Sequence, residues 1–515
     1  MSQDDPQQTA PQRDWKTFIA RQVHEQTAEH PYPLRRPLEF PLFEPLGDPR
    51  TRELEALTQR ATIPELQAEM AAGRLTSEEL TRFYLARIRQ HNERLGAWLE
   101  VNPEALEEAG ARRDERKSGE IRGPLHGIPI ALKDNIATAA PMHTAAGAAV
   151  LKDAVPDRDA FIVRRLREAG AVILGKNNLS EWANFMTSTS VNGFSALGGH
   201  TRNSYGPFDV GGSSSGTASA VAANLAVAGV GSETSGSLIY PAAQNGIFTL
   251  KPTLGLVSRD RIIPITDAQD TAGPLTKNAT DLAVLMSVLA GYDPGDPLTK
   301  RAKAVQDADF AFQNAALEGL QVGWVQYTQR EGDEEALNRV VQAFKELGAE
   351  VKQIPFPTAK IDMIPVLRYG LREGVNAYLK ATNAPVSSLA EVIAFNEANP
   401  EAAPYGQDLL VASQNETISK EDYQVLVEKN QQAGIAVLDG LMKEHQVSLL
   451  LTVSNSLSAY TSTSGFPALN FPAGYRASGE PIGASMVGKA LEDARLIAIA
   501  HALSERLEPR KTPVL

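Results

Sequence analysis

Residues 211–255 read GGSSSGTASAVAANLAVAGVGSETSGSLIYPAAQNGIFTLKPTLG, and this stretch decides how the rest of the chain is interpreted. It holds seven serines and eight glycines in 45 positions, yet its apolar run from Ala218 to Val230 requires burial, unlike a flexible Gly/Ser linker. The pattern predicts a serine-bearing loop, a small-residue helix, a short buried strand and a second serine-bearing loop. Another helix follows, with Pro241 near its start and Gly246 at its end. Two serine turns therefore face one small-residue core.

The segments on either side of this stretch alternate between helix and strand patterns. Helices are predicted at 161–168, 179–185, 334–347 and 492–507, and strands at 128–132, 171–174, 321–327, 350–354, 448–452 and 468–471. Residues 360–445 are mostly helical and polar. The alternation predicts an α/β fold with a largely buried sheet.

The first 60 residues differ in composition from the rest. Residues 1–13 are polar and predicted to be disordered, and a proline at every fourth position from Pro33 to Pro49 predicts an extended arm lying across the globular body. The arm is interpreted as a surface brace, with a partner-binding segment as the rarer alternative. Capping boxes at Thr62 and Thr76 begin the first predicted helices. We therefore divide the chain into a tail and arm (1–60) and one domain (61–515).

Composition excludes several classes of function. A net charge of −12 and a pI near 5.3 argue against a protein that tracks nucleic-acid phosphates. With no cysteine, the chain has no thiolate nucleophile, disulfide or cysteine-ligated metal, and its eight histidines lack metal-ligand spacing. The N-terminus shows no signal peptide, and no apolar run reaches the length of a membrane span. These features predict a cytoplasmic protein without metal or membrane association.

One alternative for the chemistry is a nucleophile elbow. Gly212–Gly216 formally matches G-x-S-x-G, which would make Ser214 the nucleophile of an esterase with an α/β-hydrolase fold. The elbow requires a buried strand directly before it, and Tyr205–Val210 is a poor strand. Only His445 and His501 follow in the chain, so this esterase is the least favoured alternative.

A serine activated by lysine is better supported. Lys133 ends the apolar strand Ile128–Leu132, where burial would lower its pKa and leave a neutral amine able to accept a proton. The alternative is a structural lysine paired with Asp134. Ser237 lies on a glycine-flanked turn ahead of a helix, where backbone N–H groups can point at a carbonyl oxygen.

Several collinear segments resemble the amidase signature family. Ser213 and Ser237 are 24 residues apart, which is the spacing of the two serines in the family. The other matching segments are Pro124–Asn135, Gly175–Trp182, Gly199–Asn203, Leu250–Thr253 and Gly465–Ala468. The resemblance implies the amidase signature fold, with a large mixed central sheet flanked by helices on both faces. Residues 256–260 and 269–274 are most similar to bacterial peptide amidases, which cleave the terminal carboxamides of peptides to acid and ammonia.

The resemblance also implies roles for individual residues. Neutral Lys133 would accept a proton from Ser213, which in the family follows a cis peptide bond, and Ser213 would relay the proton from the nucleophile Ser237. An acyl-serine intermediate would form and then be hydrolysed, without cofactor or metal. The backbone N–H groups of the nucleophile turn would form the oxyanion hole: Thr234, Ser235, Gly236 and Ser237. The expected partner is a small-molecule or peptide amide.

Departures from the family pattern leave alternatives open. Glu233 stands where the family commonly has aspartate, Ser235 where it has glycine, and Ile239 where it has arginine. Ser235 would be strained if that position required a positive φ. The main rival function is the amidotransferase component of a tRNA-dependent glutamine pathway, against which the acidic charge argues. A non-catalytic family member is a second rival. The acyl group, the leaving amine and the oligomeric state stay open.

Overall fold

The computed structural model describes residues 15–28, 32–305, 310, 317–327, 330–508 and 510–515. Its centre is an eleven-stranded mixed sheet. The thirteen strands are β1 (Trp98–Val101), β2 (Pro129–Lys133), β3 (Val172–Asn177), β4 (Phe194–Ser195), β5 (Gly199–His200), β6 (Ala228–Glu233), β7 (Phe248–Lys251), β8 (Thr271–Thr276), β9 (Gln321–Val325), β10 (Glu350–Ile354), β11 (Leu449–Val453), β12 (Ala468–Tyr475) and β13 (Pro481–Val487). Strands β4 and β5 form a separate ribbon.

The large sheet has the order β1-β3-β2-β6-β8-β7-β12-β13-β11-β9-β10. The β3-β2-β6 and β11-β9-β10 neighbours are parallel, and the other pairs are antiparallel. The structure confirms the predicted α/β class with a large mixed sheet. The parallel strands are buried almost throughout at the β2 end, as expected where helices cover a sheet.

The helices pack against this sheet and against one another. They are α1 (Trp15–Thr27), α2 (Asp48–Thr58), α3 (Ile63–Ala71), α4 (Ser77–Leu95), α5 (Ala105–Ser118), α6 (Phe161–Glu168), α7 (Glu181–Asn184), α8 (Ser215–Ala222), α9 (Ile239–Gln244), α10 (Ala279–Leu289), α11 (Asp333–Glu346), α12 (Ile364–Ala381), α13 (Leu389–Ala398), α14 (Asp408–Gln414), α15 (Lys420–Glu444), α16 (Ser458–Ser464) and α17 (Asp493–Ser504), with 3-10 turns at Ala149–Leu151, Pro297–Ala304 and Pro400–Ala402. Within the described ranges, no helix is both long and apolar enough to cross a membrane.

The N-terminal region contains more regular structure than the sequence predicts. The predicted disordered tail lies outside the described residues, but α1 follows it directly and α2 begins with Pro49 in its first turn. Pro49 therefore starts a helix rather than extending the arm, because proline is compatible with the first helical turn. Between these helices the arm runs without regular structure, and its apolar side chains pack on the core: Leu38, Phe40, Phe43 and Leu46.

The predicted helix at 179–185 is wrong. Only the four-residue turn α7 forms, and Trp182, Ala183 and Asn184 have left-handed φ angles of 50°, 54° and 72°. Contacts with distant segments override the local helical pattern, since Glu181 accepts a hydrogen bond from Ala196 N at 2.7 Å and Trp182 N donates to Ala146 O at 3.2 Å. Both capping boxes, at Thr62 and Thr76, are present as predicted.

Close approach explains the small residues of the central stretch. A Cβ added at Gly216 in α8 would lie 2.3 Å from the backbone oxygen of Asn178 and 2.5 Å from that of Ala97. Gly231 in β6 leaves a comparable gap for the side chain of Ser214. Helix α8 and strand β6 can therefore pack this closely on these neighbours only if glycine occupies positions 216 and 231.

We predict that Gly216→Ala lowers the free energy of unfolding by about 1–3 kcal/mol, because backbone atoms must move to admit the methyl group. The matched control is Gly440→Ala in α15, where an added Cβ has no neighbour within 4 Å. That change should raise stability by about 0.5–1 kcal/mol through helix propensity. Urea unfolding followed by circular dichroism measures both, and equal effects would contradict the close-packing argument.

Candidate functional site

The amine of Lys133 is the centre of the site. Lys133 ends β2 and is fully buried. Its Nζ lies 2.7 Å from Ser213 Oγ, 2.9 Å from Ser232 Oγ and 3.1 Å from the backbone oxygen of Ser232. All three partners are neutral. Asp134 is not an ion-pair partner of Lys133, because its carboxylate accepts from Gly147 N at 3.0 Å and lies 3.7 Å from Lys176 Nζ.

Burial lowers the pKa of Lys133 to about 7, because the charged form loses its hydration in the interior. The nearby carboxylates of Asp270 and Glu233 oppose this shift. Near neutral pH, a substantial fraction of Lys133 is therefore unprotonated.

Ser213 lies on the turn between residue 210 and α8. The Gly212–Ser213 peptide bond is cis. The backbone oxygen of Ser213 accepts a hydrogen bond from Ser180 N at 3.0 Å, and a Cβ at Gly212 would lie 2.4 Å from Ser180 Oγ. The segment at the end of β3 thus holds the turn in place, and the Ser213 hydroxyl points at Lys133.

Ser237 lies on the turn between β6 and α9, against the first serine turn. Its backbone oxygen accepts from Ser214 N at 3.2 Å, and its side chain is 8% exposed, whereas Ser213 is fully buried. The carboxylate of Glu233 accepts from Leu238 N at 2.8 Å and from Ile239 N at 3.1 Å. Glutamate at position 233 therefore caps the helix that follows the turn.

The backbone N–H groups of this turn are available to a ligand. Those of Ser235, Gly236 and Ser237 donate to no acceptor within the described part of the chain. Gly236 and Ser237 are buried and Ser235 is half-buried. Buried N–H groups usually have partners, so donors without an acceptor at two successive buried residues are unusual. The positive φ falls on Gly236, at 85°, and Ser235 is not in the left-handed region. The sequence departure at Ser235 therefore introduces no φ strain.

A cavity of about 730 Å³ reaches Ser232 and Thr234, the residues on either side of Glu233. Most of its remaining wall comes from residues 259–271, from α12 and from α15, and it includes three tyrosines: Tyr369, Tyr378 and Tyr423. Ser237 is not part of this wall. The Thr234 hydroxyl donates to Asp270, whose other carboxylate oxygen accepts from Ile265 N and Thr266 N at 2.8 and 3.0 Å. Asp270 thus links residues 265 and 266 of the cavity wall to Thr234, at the start of the turn that carries Ser237.

The structure does not support the nucleophile elbow at Ser214. Ser214 is fully buried, and its Oγ donates to the backbone oxygen of Ser232 at 3.0 Å and accepts from Ser232 N at 3.3 Å. No strand precedes it over residues 201–211. Its hydroxyl is used in joining the turn to β6.

The sequence analysis missed three residues of the site. Ser232 gives Lys133 two of its three contacts, Asn135 Nδ2 donates to Ser232 Oγ at 2.9 Å, and Asp270 anchors Thr234. Asn135 and Asp270 lie in segments that resemble the family, but their positions alone indicate no role. Ser232 lies in β6, next to the strand that Lys133 ends, and the sequence does not show that these two strands pair.

A family model described as Amidase matches residues 79–447. The chain belongs to the amidase family. It is therefore a hydrolase of amide bonds, and the resemblance seen in its motifs is confirmed. The first 78 residues, which include α1 and the arm, precede the matched region.

Relatives and solved structures agree with this assignment. A probable amidase of Arabidopsis thaliana is 34% identical over 474 residues, covering 88% of this chain and 91% of the relative. The native peptide amidase of Stenotrophomonas maltophilia is 38% identical with a TM-score of 0.82, covering 88% of this chain and 98% of that chain. An amidase family protein of Bacillus anthracis is 35% identical with a TM-score of 0.87, covering 97% and 98%.

The family also includes proteins named for the rival function. A glutamyl-tRNA(Gln) amidotransferase component of Microcystis aeruginosa is 31% identical over 493 residues, covering 87% of this chain and 98% of the relative. Overall similarity therefore leaves the two functions to be separated by experiment.

We predict that the free energy of unfolding of Lys133→Met rises relative to that of wild type as the pH falls from 9 to 7. The pKa of Lys133 is about 7 in the folded protein and near 10.5 when unfolded, so above pH 7 the unfolded state binds the proton more than the folded state does. Wild type should lose about 1.4 kcal/mol per pH unit relative to the variant near pH 9 and less as the pH approaches 7, which gives about 2 kcal/mol over the window. Urea unfolding at both pH values measures the difference. A constant difference would contradict a lowered pKa.

Proposed function

We propose that this amidase hydrolyses a terminal carboxamide to the carboxylic acid and ammonia, with Ser237 as nucleophile and Ser213 and Lys133 as a proton relay. The observation that carries the proposal is the 2.7 Å contact between the buried amine of Lys133 and the Ser213 hydroxyl, on a turn packed against that of Ser237. Each group required is a side chain or backbone N–H of this chain.

The contacts of Lys133 favour the relay. A neutral amine has two N–H donors and one lone pair, and Lys133 has three contacts. The backbone oxygen of Ser232 can only accept, and Ser232 Oγ, which has two lone pairs, can accept from both Asn135 and Lys133. In that arrangement the lone pair of neutral Lys133 takes the hydroxyl proton of Ser213. Ser213 can in turn accept the proton that Ser237 loses on attack.

The chemistry then follows in two stages. Ser237 Oγ attacks the carboxamide carbon, its proton passes to Ser213, and the Ser213 proton passes to Lys133. The backbone N–H groups of Ser235, Gly236 and Ser237 bind the oxyanion, each worth about 3 kcal/mol when well placed. Ser213 protonates the departing nitrogen, Lys133 returns a proton to Ser213, and ammonia leaves. Water hydrolyses the acyl-serine by the same relay in reverse. We also propose the backbone N–H of Thr234 as a fourth donor to the oxyanion.

The substrate class follows from the cavity and the neighbours. A volume of about 730 Å³ is within the range of ligand sites and suits an acyl part larger than acetamide. Apolar side chains and tyrosines line much of its wall. The related peptide amidase has been solved with the competitive inhibitor chymostatin. We therefore propose peptide amides as substrates, with no nucleic-acid partner, no cofactor and a cytoplasmic location, and with residues 61–515 as one domain.

Ammonia release from a panel of amides tests this function. We expect wild type to hydrolyse C-terminally amidated dipeptides faster than aliphatic amides or glutamine. Ser237→Ala should lose at least about a thousandfold in kcat, since the nucleophile is gone. The matched control is Ser219→Ala, a buried serine of α8 whose Oγ donates to Arg202 O at 2.8 Å. Glutamine as the only substrate would favour the amidotransferase rival, and turnover by Ser237→Ala would overturn the proposed nucleophile.

The pH dependence tests the base. Protonated Lys133 cannot accept a proton, so kcat/KM should rise with pH through about 7 and level off above it. The carboxylate of Asp270 raises the pKa of Lys133, so Asp270→Asn should move this rise to lower pH. Steady-state kinetics from pH 5 to 9 measures both profiles. A rise that stays fixed or moves upward in the variant would contradict Lys133 as the titrating group.

A further inference from the structure

The carboxylate of Asp209 joins three separate segments of the chain. Its Oδ1 accepts from Gln26 Nε2 at 3.1 Å, from Asn192 Nδ2 at 3.1 Å and from Gly211 N at 3.0 Å. Its Oδ2 accepts from Asn192 Nδ2 at 3.2 Å and from the Tyr240 hydroxyl. Asp209 is fully buried, and all of these donors are neutral. This satisfied carboxylate lies outside the amine and the two serines that carry out the proposed reaction.

Two of the donors belong to the serine turns. Gly211 precedes Ser213 by two residues, and Tyr240 follows Ser237 by three, in the first turn of α9. The two turns also touch directly, since a Cβ added at Gly211 would lie 2.7 Å from Pro241 Cα. One carboxylate therefore fixes a backbone N–H of the first turn and a side chain of the second.

Of the other two donors, Asn192 and Gln26, the second comes from the N-terminal helix α1, which precedes the region matched by the family model. Gln26 is 1% exposed. Besides its bond to Asp209, its Oε1 accepts from Val210 N at 3.2 Å and its Nε2 donates to Asn192 O at 3.0 Å. Gln26 thus holds Asp209 and Val210, the two residues that lead into the Gly211–Ser213 turn.

We propose that Asp209 is a positioning residue that sets the spacing between the Ser213 and Ser237 hydroxyls, and that α1 completes this arrangement through Gln26. The inference rests on the proposed relay, in which a proton passes between those hydroxyls. Proton transfer requires heavy atoms within hydrogen-bond reach, and a displacement of about 1 Å can cost about a hundredfold in rate. Removing one donor leaves the buried carboxylate incompletely paired and allows the turns to move.

The test uses Tyr240→Phe, which removes one hydroxyl, and Gln26→Leu, each in wild type and in a Ser213→Ala background. We expect each change to lower kcat about tenfold to a hundredfold in wild type while KM changes less than twofold. In the Ser213→Ala background the same changes should have no further effect on kcat, because the hydroxyl whose position they control is absent. The matched control is Tyr84→Phe, a buried tyrosine whose hydroxyl donates to Asn224.

Three outcomes would overturn the inference: equal losses of kcat in both backgrounds, an effect on KM alone, or kcat of either variant unchanged in wild type. Thermal unfolding of every variant identifies losses of kcat that follow from unfolding. If Gln26→Leu fails to fold, Tyr240→Phe alone tests the inference.

The kcat values of wild type and Ser237→Ala are measured in the same assay. If Ser237→Ala keeps its activity, the proposed function fails. If it is inactive while kcat of Tyr240→Phe equals that of wild type, only the role of Asp209 fails.

Discussion

Dehydration of one amine is the constraint on which the site depends. A lysine ammonium is strongly hydrated, and placing it in a protein interior without a carboxylate partner costs several kcal/mol. The fold meets this constraint at Lys133 by lowering the pKa of the amine to about 7 and surrounding it with a carbonyl oxygen and two hydroxyls. Because those partners come from the first serine turn and from β6, a shift of either segment would cost the amine at least one of these contacts.

Burial alone does not make a lysine reactive. Lys176, in the neighbouring strand β3, is also fully buried, and its pKa is also lowered by burial. Its Nζ donates to Ile136 O at 2.6 Å and to Thr144 Oγ1 at 2.8 Å, and Asp134 lies 3.7 Å away. These contacts fasten the loop after β2. The two lysines therefore differ in what they contact: Lys133 meets a hydroxyl beside a second serine turn, whereas Lys176 meets a structural loop.

Much of this arrangement was predictable, because local chemistry decides it. The small residues of 211–255 admit only close packing, and the apolar strand ending at Lys133 leaves the amine no route to water. Contacts between distant segments were not predictable. The left-handed turn at Trp182 depends on Ala146, and the anchoring of Thr234 depends on Asp270, 36 positions away. The N-terminal helix α1 was also missed, since its docking uses buried polar side chains such as Gln26, which a hydrophobic pattern does not reveal.

The cavity and the reacting groups come from different parts of the chain. Lys133 lies at the end of β2 in the central sheet, and the two serines lie on the turn before α8 and on the turn after β6. Much of the wall that would surround an acyl group comes instead from α12 and α15. If the proposed function holds, substitutions on the cavity-facing side of these helices should change selectivity without altering the proposed relay. In directed evolution, α12 and α15 are the segments to randomise for new amides, and the serine turns are the segments to leave unchanged.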